Sequence, residues 1–394
     1  MSKLGEFIKQ VGERNKNGLY DVVLGVSIDK KFMPSVANLV GTDLTKYNVV
    51  RRGRFAFNPM HVGRDEHLPI ARYMNDEPAL VSPAYMMFEA TGQSVIPEYL
   101  ELVFNAPYFD HLCWFHSDAS VRGGLTWDDF SNVEINIPSL EKQKTIVRCF
   151  AEIQKRKELL YEINDSLFSR IKYTIEKYIF GKIKLEDLNK IDEILLPESW
   201  EVKPLFEVSD CQSGYAFYKD GYTESGIQIV DLGNITTRSE YIESKEDKHV
   251  DFNKYSAPKF NKFRLKKNDL IMVMTDRKST MDLLGKAALI DNDKNLLLNQ
   301  RVYRIRSKGL SPVFLHAYLN SDVVHYYHAS HALGTAQKYV NNGDIDEIPI
   351  IIPDEKTMNE ITKICEPLVD LLLANKQEIE CQTSFFDLMK QTIE

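Results

Sequence analysis

Between Thr145 and Ile179, apolar residues fall at alternating steps of four and three. Ile146, Phe150, Ile153, Leu160, Leu167, Ile171 and Tyr178 follow this rhythm, and Lys157, Asn164 and Thr174 fill the remaining seam positions. Neither Pro nor Gly interrupts the run. A stripe this narrow is the a/d seam of a heptad helix, not the broader face of a helix lying on a core. A helix of this length spans roughly 50 Å. The rhythm recurs from Thr357 to the end of the chain, at Ile361, Cys365, Leu368, Leu372, Asn375, Ile379, Gln382, Phe386, Met389 and Ile393.

Both runs follow a strand-like segment ending in Ile-Pro: Glu134-Ile135-Asn136-Ile137-Pro138 and Ile350-Ile351-Ile352-Pro353. Late in each helix, Ser166-Leu167-Phe168 is matched by Ser384-Phe385-Phe386, and Lys172, Thr174, Ile175 and Glu176 by Lys390, Thr392, Ile393 and Glu394. The offset between the copies slips by three residues along the helix, which a coiled coil absorbs as a stammer. Two unrelated amphipathic helices on separate cores are the plainer alternative, but repeats on this scale are rarely accidental.

The globular stretches also repeat in order. In the first, Tyr20–Ser27 and Leu80–Glu89 read as strands, Arg54–Asn58 as a strand after a turn at Arg52-Gly53, and Pro97–Asn105 as a helix opened by Pro. In the second, Asn268–Thr275 parallels Arg52–Asn58, Asn299–Ile305 parallels Ser82–Phe88, and Pro312–Leu319 parallels Pro97–Phe104. Gly334–Val340 parallels the region from Arg122 to Leu125. The expected fold is α+β (mixed α/β): two similar globular domains alternating with two long helices that pair as an antiparallel coiled coil. The boundaries are 1–138, a first helix 139–181 stopped at Gly181, a linker 182–195, a second domain 196–353 and a second helix 354–394.

A length of 394 residues accommodates two or three domains. No apolar run is long enough to cross a membrane, and the first residues lack the apolar core of a signal peptide. Five scattered cysteines without a CxxC fit a reduced, cytoplasmic protein with neither disulfide framework nor zinc knuckle. The formal net charge is -8, yet Lys259–Lys308 holds thirteen Lys/Arg against five Asp/Glu, and Arg51–Arg72 five Arg against two acids. Local basic surface matters more to phosphate binding than the total does.

Catalytic signatures are weak. Asn58-Pro59-Met60 lacks the second Pro and the aromatic of an amino-methyltransferase tetrad. Pro353-Asp354-Glu355-Lys356 compresses a nuclease-like set into four consecutive residues at a helix start, where the acids complement the helix N-terminus. No phosphate-cradling GxxxxGK[ST] occurs. His325, His328 and His331 rotate off a single helix face and read as a surface or groove-facing run, not as metal ligands. The basic loops are the stronger signal. Thr275-Asp276-Arg277-Lys278-Ser279-Thr280 follows an apolar strand, and His61-Val62-Gly63-Arg64-Asp65 holds the matching place in the first unit. Arg suits guanine, Lys suits phosphate, and Gln337 suits adenine with Lys338 and Tyr339 on phosphate or sugar. Any one of these residues alone reads better as a solvated loop charge. Together they make Asn58, His61, Arg64, Arg122, Arg277, Lys278, Gln337, Lys338 and Tyr339 the candidate DNA-binding set, with no catalytic and no metal residues.

Over essentially its full length the chain resembles the specificity (S) subunits of type I restriction-modification systems. The carrying features are the two Ile-Pro exits and Lys142-Gln143-Lys144-Thr145-Ile146-Val147 with its degenerate copy Thr357–Thr362. Others are Phe180-Gly181-Lys182-Ile183, Leu196-Pro197-Glu198-Ser199-Trp200, Asn299-Gln300 and Gly334-Thr335-Ala336-Gln337. The resemblance implies two target-recognition domains, each reading half of a split sequence in double-stranded DNA. It implies helices that set the spacing and dock two methyltransferase (M) subunits, with restriction (R) subunits in the larger complex. It implies no catalysis and no cofactor on this chain: S-adenosylmethionine, ATP and Mg belong to the partners. The competing readings are a fragment of a fused modification-restriction enzyme and a coiled-coil scaffold without DNA readout.

Overall fold

The computed structural model describes the chain except residues 63–65, 93, 118–123, 182–187, 192–194, 218–220, 244–246, 277–279, 336, 392 and 394, and the side chain of His61. Its fold is mixed α+β. Contacts divide it into one unit of Met1–Leu159 with Ile379–Glu394 and a second of Leu160–Glu378. Among the described residues no helix is long and apolar enough to cross a membrane.

The first unit contains two four-stranded sheets. One runs in the order Ile8–Val11, Met86–Ala90, Phe55–Phe57, Ile70–Arg72; the other Phe32–Pro34, Val23–Val26, Ala79–Val81, Asn48–Val50. Alternation sends Phe55, Phe57 and Phe88 into a core with Phe104, Phe109 and Phe130, where Phe57 and Phe130 centroids lie 4.5 Å apart. The stretch Leu80–Glu89, expected to form one strand, is two strands in different sheets. Ser82–Tyr85 turns between them, with Tyr85 N–H donating to Ser82 O at 3.0 Å. Pro83 has no N–H to give to a ladder, so the chain breaks there.

The second unit repeats both four-stranded sheets in the same strand order. Its sheets run Ser209–Ser213, Val302–Ser307, Leu270–Val273, Ala287–Leu289 and His249–Val250, Ile227–Val230, Leu296–Leu298, Arg264–Leu265. Each unit has one parallel strand pair in the same place, Val23 opposite Leu80 and Ile229 opposite Leu297. At the helix starts the two copies keep one spacing. Pro97–Phe104 corresponds to Pro312–Leu319, and Leu140–Tyr178 to Glu355–Gln391, each start 215 positions apart. One backbone bond recurs at that spacing: Leu125 N–H donates to Pro59 O at 3.2 Å, and Val340 N–H to Met274 O at 3.1 Å.

All seam positions read from the heptad rhythm are withdrawn from solvent along both long helices. In the first unit Phe150 and Phe386 rings meet at 4.7 Å, in a core with Ile146, Met389 and Ile393. In the second, Ile171, Ile175 and Ile179 share a core with Ile361, Cys365 and Val369. Cys365 is buried there, as a small core residue. The second helix carries Pro367 at an exposed position, where the missing N–H costs one intrahelical bond. Asp354 caps its start, accepting from Thr357 N–H at 2.8 Å and from Trp200 Nε1 at 3.3 Å. The consecutive Asp354-Glu355 is thus a helix cap.

Candidate nucleic-acid interface

Each unit carries a cleft at the carboxyl end of its parallel strand pair. In the second unit it has a volume of ≈ 730 Å³ and is lined by Tyr222, Asp231, Lys248, Thr275, Asp276, Asn299, Gln300 and Arg301, among others. In the first it has ≈ 640 Å³, with Gly25, Met33, Val36, Tyr47, Asn58, Met60, Ser82 and Tyr85 on its walls. The same structural parts build both: the end of the first parallel strand, the turn after the second, and the loop leaving the central strand of the other sheet. Parallel strands aligned this way leave a crevice outside their carboxyl ends, where open sheets commonly take ligands.

Tertiary structure brings two of the sequence clusters of the second unit together. Thr275–Asp276 pairs antiparallel with Lys338–Tyr339, Thr275 opposite Tyr339 and Asp276 opposite Lys338. Leu333 and Tyr339 exchange both backbone bonds, at 2.9 and 3.1 Å, closing a hairpin. Gly334 has φ +88°, and a Cβ there would come within 2.2 Å of Gln337 O. Only glycine fits such a position. Gln337 and Lys338 are half-buried and Tyr339 is exposed. The hairpin flanks the cleft without lining it; Arg277 and Lys278 lie outside the described residues.

In the first unit Asn58 lines the cleft and caps the short turn Pro59–His61, its Oδ1 accepting from Met60 N–H at 3.0 Å. His61 sits on that turn by its backbone; Arg64 and Arg122 lie outside the described residues. Gly124, two positions after Arg122 in sequence, approaches Pro59 O so closely that a Cβ would meet it at 2.7 Å. The turn that carries the His61 backbone and the chain at Gly124-Leu125 therefore converge, as Met274 and Val340 do in the second unit.

The basic stretches need correction. Of the five arginines between Arg51 and Arg72, all four described ones are engaged by carboxylates. Arg51 and Arg54 hold Glu13, Arg54 also reaches Glu89, Arg52 pairs with Asp76, and Arg72 with Glu98 and Glu101. The hydrogen bond from Arg51 holds the Glu13 carboxyl down at about 2. In the second stretch Arg304 is buried against Asp210, Arg306 forks onto Asp269, and Lys294 pairs with Glu243. These cations serve the fold. Their partners lie far away in sequence, so a local charge count cannot reveal them.

Lys248 and Arg301 are cleft cations that sequence reasoning did not nominate. Lys248 donates to Asp231 at 2.9 Å and lies 5.5 Å from the Tyr222 ring centre; the Asp231 carboxylate raises its pKa above the ordinary lysine value. Arg301 is exposed, and among the described residues no carboxylate pairs with it. The Asn299-Gln300 pair was visible as a repeated element, but nothing local marked its turn as a cleft wall.

The histidine run is also corrected. His328 is 1% exposed and packs against Gly285, where no Cβ could fit. It belongs to the core, because successive steps of three on a helix turn one of three residues inward. Among the described residues no cluster of His, Cys, Asp or Glu could hold a metal ion.

A family model described as type I restriction modification DNA specificity domain matches residues 197–381. The type I restriction enzyme MjaVIII specificity subunit of Methanocaldococcus jannaschii is 27% identical over 260 residues, covering 64% of this chain and 59% of that protein. The type I restriction enzyme EcoBI specificity subunit of Escherichia coli is 22% identical over 251 residues, covering 59% and 50%. The solved S subunit of a type-I restriction-modification system from M. genitalium superposes with a TM-score of 0.49 at 12% identity, covering 100% of this chain and 95% of that one. The matches span 50–59% of the length of these two curated relatives.

Proposed function

We propose that this chain, which belongs to the family of type I restriction-modification specificity subunits, is the non-catalytic part of such a complex that reads DNA sequence. Two recognition domains, 1–138 and 196–353, each read one half of a bipartite site. Two helices, 139–181 and 354–394, pair as an antiparallel coiled coil that sets the gap. A stiff rod fixes a distance that a flexible linker would leave open. Two reading heads on one face of B-DNA need a separation of about 34 Å per turn, within reach of helices this long. The same helices dock two methyltransferase subunits, with restriction subunits in the larger assembly. S-adenosylmethionine, ATP and Mg act on those partners.

One observation carries the reading: the strand order of both four-stranded sheets repeats, and each copy opens a cleft in the same place with different side chains around it. One architecture with two linings is what two different half-sites require. The seam contacts support the rod. Asn164 meets Asn375 and Thr174 approaches Cys365, so rising numbers on one helix face falling numbers on the other.

The test is DNA binding by the chain assembled with its methyltransferase subunits, at several salt concentrations. Arg277→Ala with Lys278→Ala should clearly weaken binding and reduce its salt dependence. An unchanged affinity and slope would refute DNA readout by this loop. Methyl transfer by the purified chain alone would favour a fused enzyme instead.

A further inference from the structure

We propose that the two clefts select base pairs of opposite chemistry: the second unit's cleft takes a guanine-bearing pair through Arg301, and the first unit's a thymine-bearing pair through Met33, Val36 and Met60. This rests on the DNA reading above.

The turn that presents Arg301 is built before any ligand arrives. Asn299 Oδ1 accepts from Gln300 N–H at 2.9 Å, and the same N–H reaches Tyr215 O at 3.1 Å. Arg301 O accepts from Met274 N–H at 3.3 Å. Gly214 lets the turn close: a Cβ there would lie 1.8 Å from Asn299 O. An exposed guanidinium therefore stands on a fixed backbone. Lys248, the other cation on the wall among the described residues, is already committed to Asp231 and the Tyr222 ring. A guanidinium fork matches the O6 and N7 acceptors that guanine presents in the major groove, and no other base offers that pair.

The equivalent turn of the first unit is Ser82-Pro83-Ala84, without a charge. Around it stand Val36 at 92% exposure, Met60 at 54% and Met33 at 37%. The apolar feature of the major groove is the thymine C5-methyl. One polar side chain of this cleft is Asn58, whose Oδ1 accepts from Met60 N–H, leaving its amide N–H groups to donate. Thymine O4 and adenine N7 both accept such a donor.

The experiment uses the chain assembled with its methyltransferase subunits and a random-sequence DNA duplex library, sequencing the bound fraction. The expected motif has a fixed G·C pair in one half and a fixed A·T pair in the other. Arg301→Ala should relax preference at the G·C position by about 10- to 100-fold and leave the other half intact. Arg301→Lys, which keeps the charge but loses the fork, should relax it similarly. Replacing the fixed thymine by uracil, which lacks only the methyl, should weaken wild-type binding about fourfold. The Met60→Ser variant should lose less. Survival of the G·C preference in Arg301→Ala, or equal binding of uracil and thymine, overturns the proposal. Enrichment of no motif by the wild-type complex would instead overturn the DNA reading beneath it.

Discussion

Asn375 Nδ2 donates to Asn164 Oδ1 at 2.8 Å, and both side chains are buried in the seam between the long helices. In a stripe otherwise filled mainly by Ile, Leu and Phe, such a pair opposes any slip that would strand either amide in apolar surroundings. Asn375→Leu leaves Asn164 Oδ1 without this donor, and Asn164→Leu leaves Asn375 Nδ2 without this acceptor; each should cost about 1–3 kcal/mol. The double change Asn164→Leu with Asn375→Leu should recover part of that loss, while loosening register and removing the bond from Asn164 to Glu240. Urea unfolding of the four proteins of the cycle measures this. A coupling energy near zero would mean that the amides do not act as a pair.

Gly334 governs the hairpin beside the cleft. In Gly334→Ala the new Cβ meets Gln337 O, and φ +88° becomes unfavourable. The backbone must reshape just where Gln337, Lys338 and Tyr339 are presented. DNA affinity of the assembled complex is expected to fall at least ~10-fold if those contacts are worth roughly one bidentate pair. The melting temperature should drop only modestly, since the tip is half-exposed. Unaltered affinity would remove the hairpin from the interface.

His328 makes the second unit sensitive to acid. Neither ring nitrogen has a hydrogen-bond partner among the described residues. Burial, reinforced by His325 and His331, pushes its pKa down to about 3, from an ordinary value of about 6.5. Below the ordinary value the unfolded chain takes up a proton that the folded one refuses. Stability is therefore complete above pH ~6.5 and falls as pH drops towards ~3. Buried His316, also shifted downward by burial, adds in the same direction. Melting curves between pH 7 and pH 4 should show a shallower acid loss for His328→Leu than for wild type, and an equal slope would contradict the assignment.

Arginines tied to carboxylates should be poor DNA contacts. Arg52, paired with Asp76, and Arg72, held between Glu98 and Glu101, are expected to leave the salt dependence of DNA binding unchanged when replaced by alanine. Arg72→Ala should lower the stability of the first unit, because its side chain is only 9% exposed and both acids lose their partner. Affinity titrations from low to high salt, set beside thermal melts, separate the two effects. A reduced salt slope for either variant would show that the pair opens to meet phosphate.

Glu13 gives the same unit its own acid dependence. Its carboxyl is held at about 2, below the ordinary 4.5, first by the hydrogen bond from Arg51 and then by Arg54. The stabilisation is complete above pH ~4.5 and lost as pH falls towards ~2. Part of it is screened by solvent, since the side chain is 32% exposed. Glu13→Gln should lower the melting temperature at pH 7 and narrow the gap to wild type near pH 3. A gap that stays constant with pH would rule out the ion pair as its cause.

What could be read along the chain was whatever depends on near neighbours. The heptad seams needed only the spacing of side chains on a helix, and their positions from Ile146 to Tyr178 and from Ile361 to Ile393 are withdrawn from solvent. The repeated order of elements was likewise a linear property, and Pro97 with Pro312 announced the paired helices. Tertiary structure decided the rest, because burial and charge pairing join residues remote in sequence. Glu13 meets Arg51 across 38 positions and Asp210 meets Arg304 across 94, turning apparent basic surface into internal ion pairs. His328 became a core residue only when Gly285 was brought against it, and Arg301 became a cleft cation only when Gly214 let its turn close beside the parallel strands. Side-chain periodicity is written locally, whereas the electrostatic fate of a cation depends on which distant carboxylate the fold delivers to it.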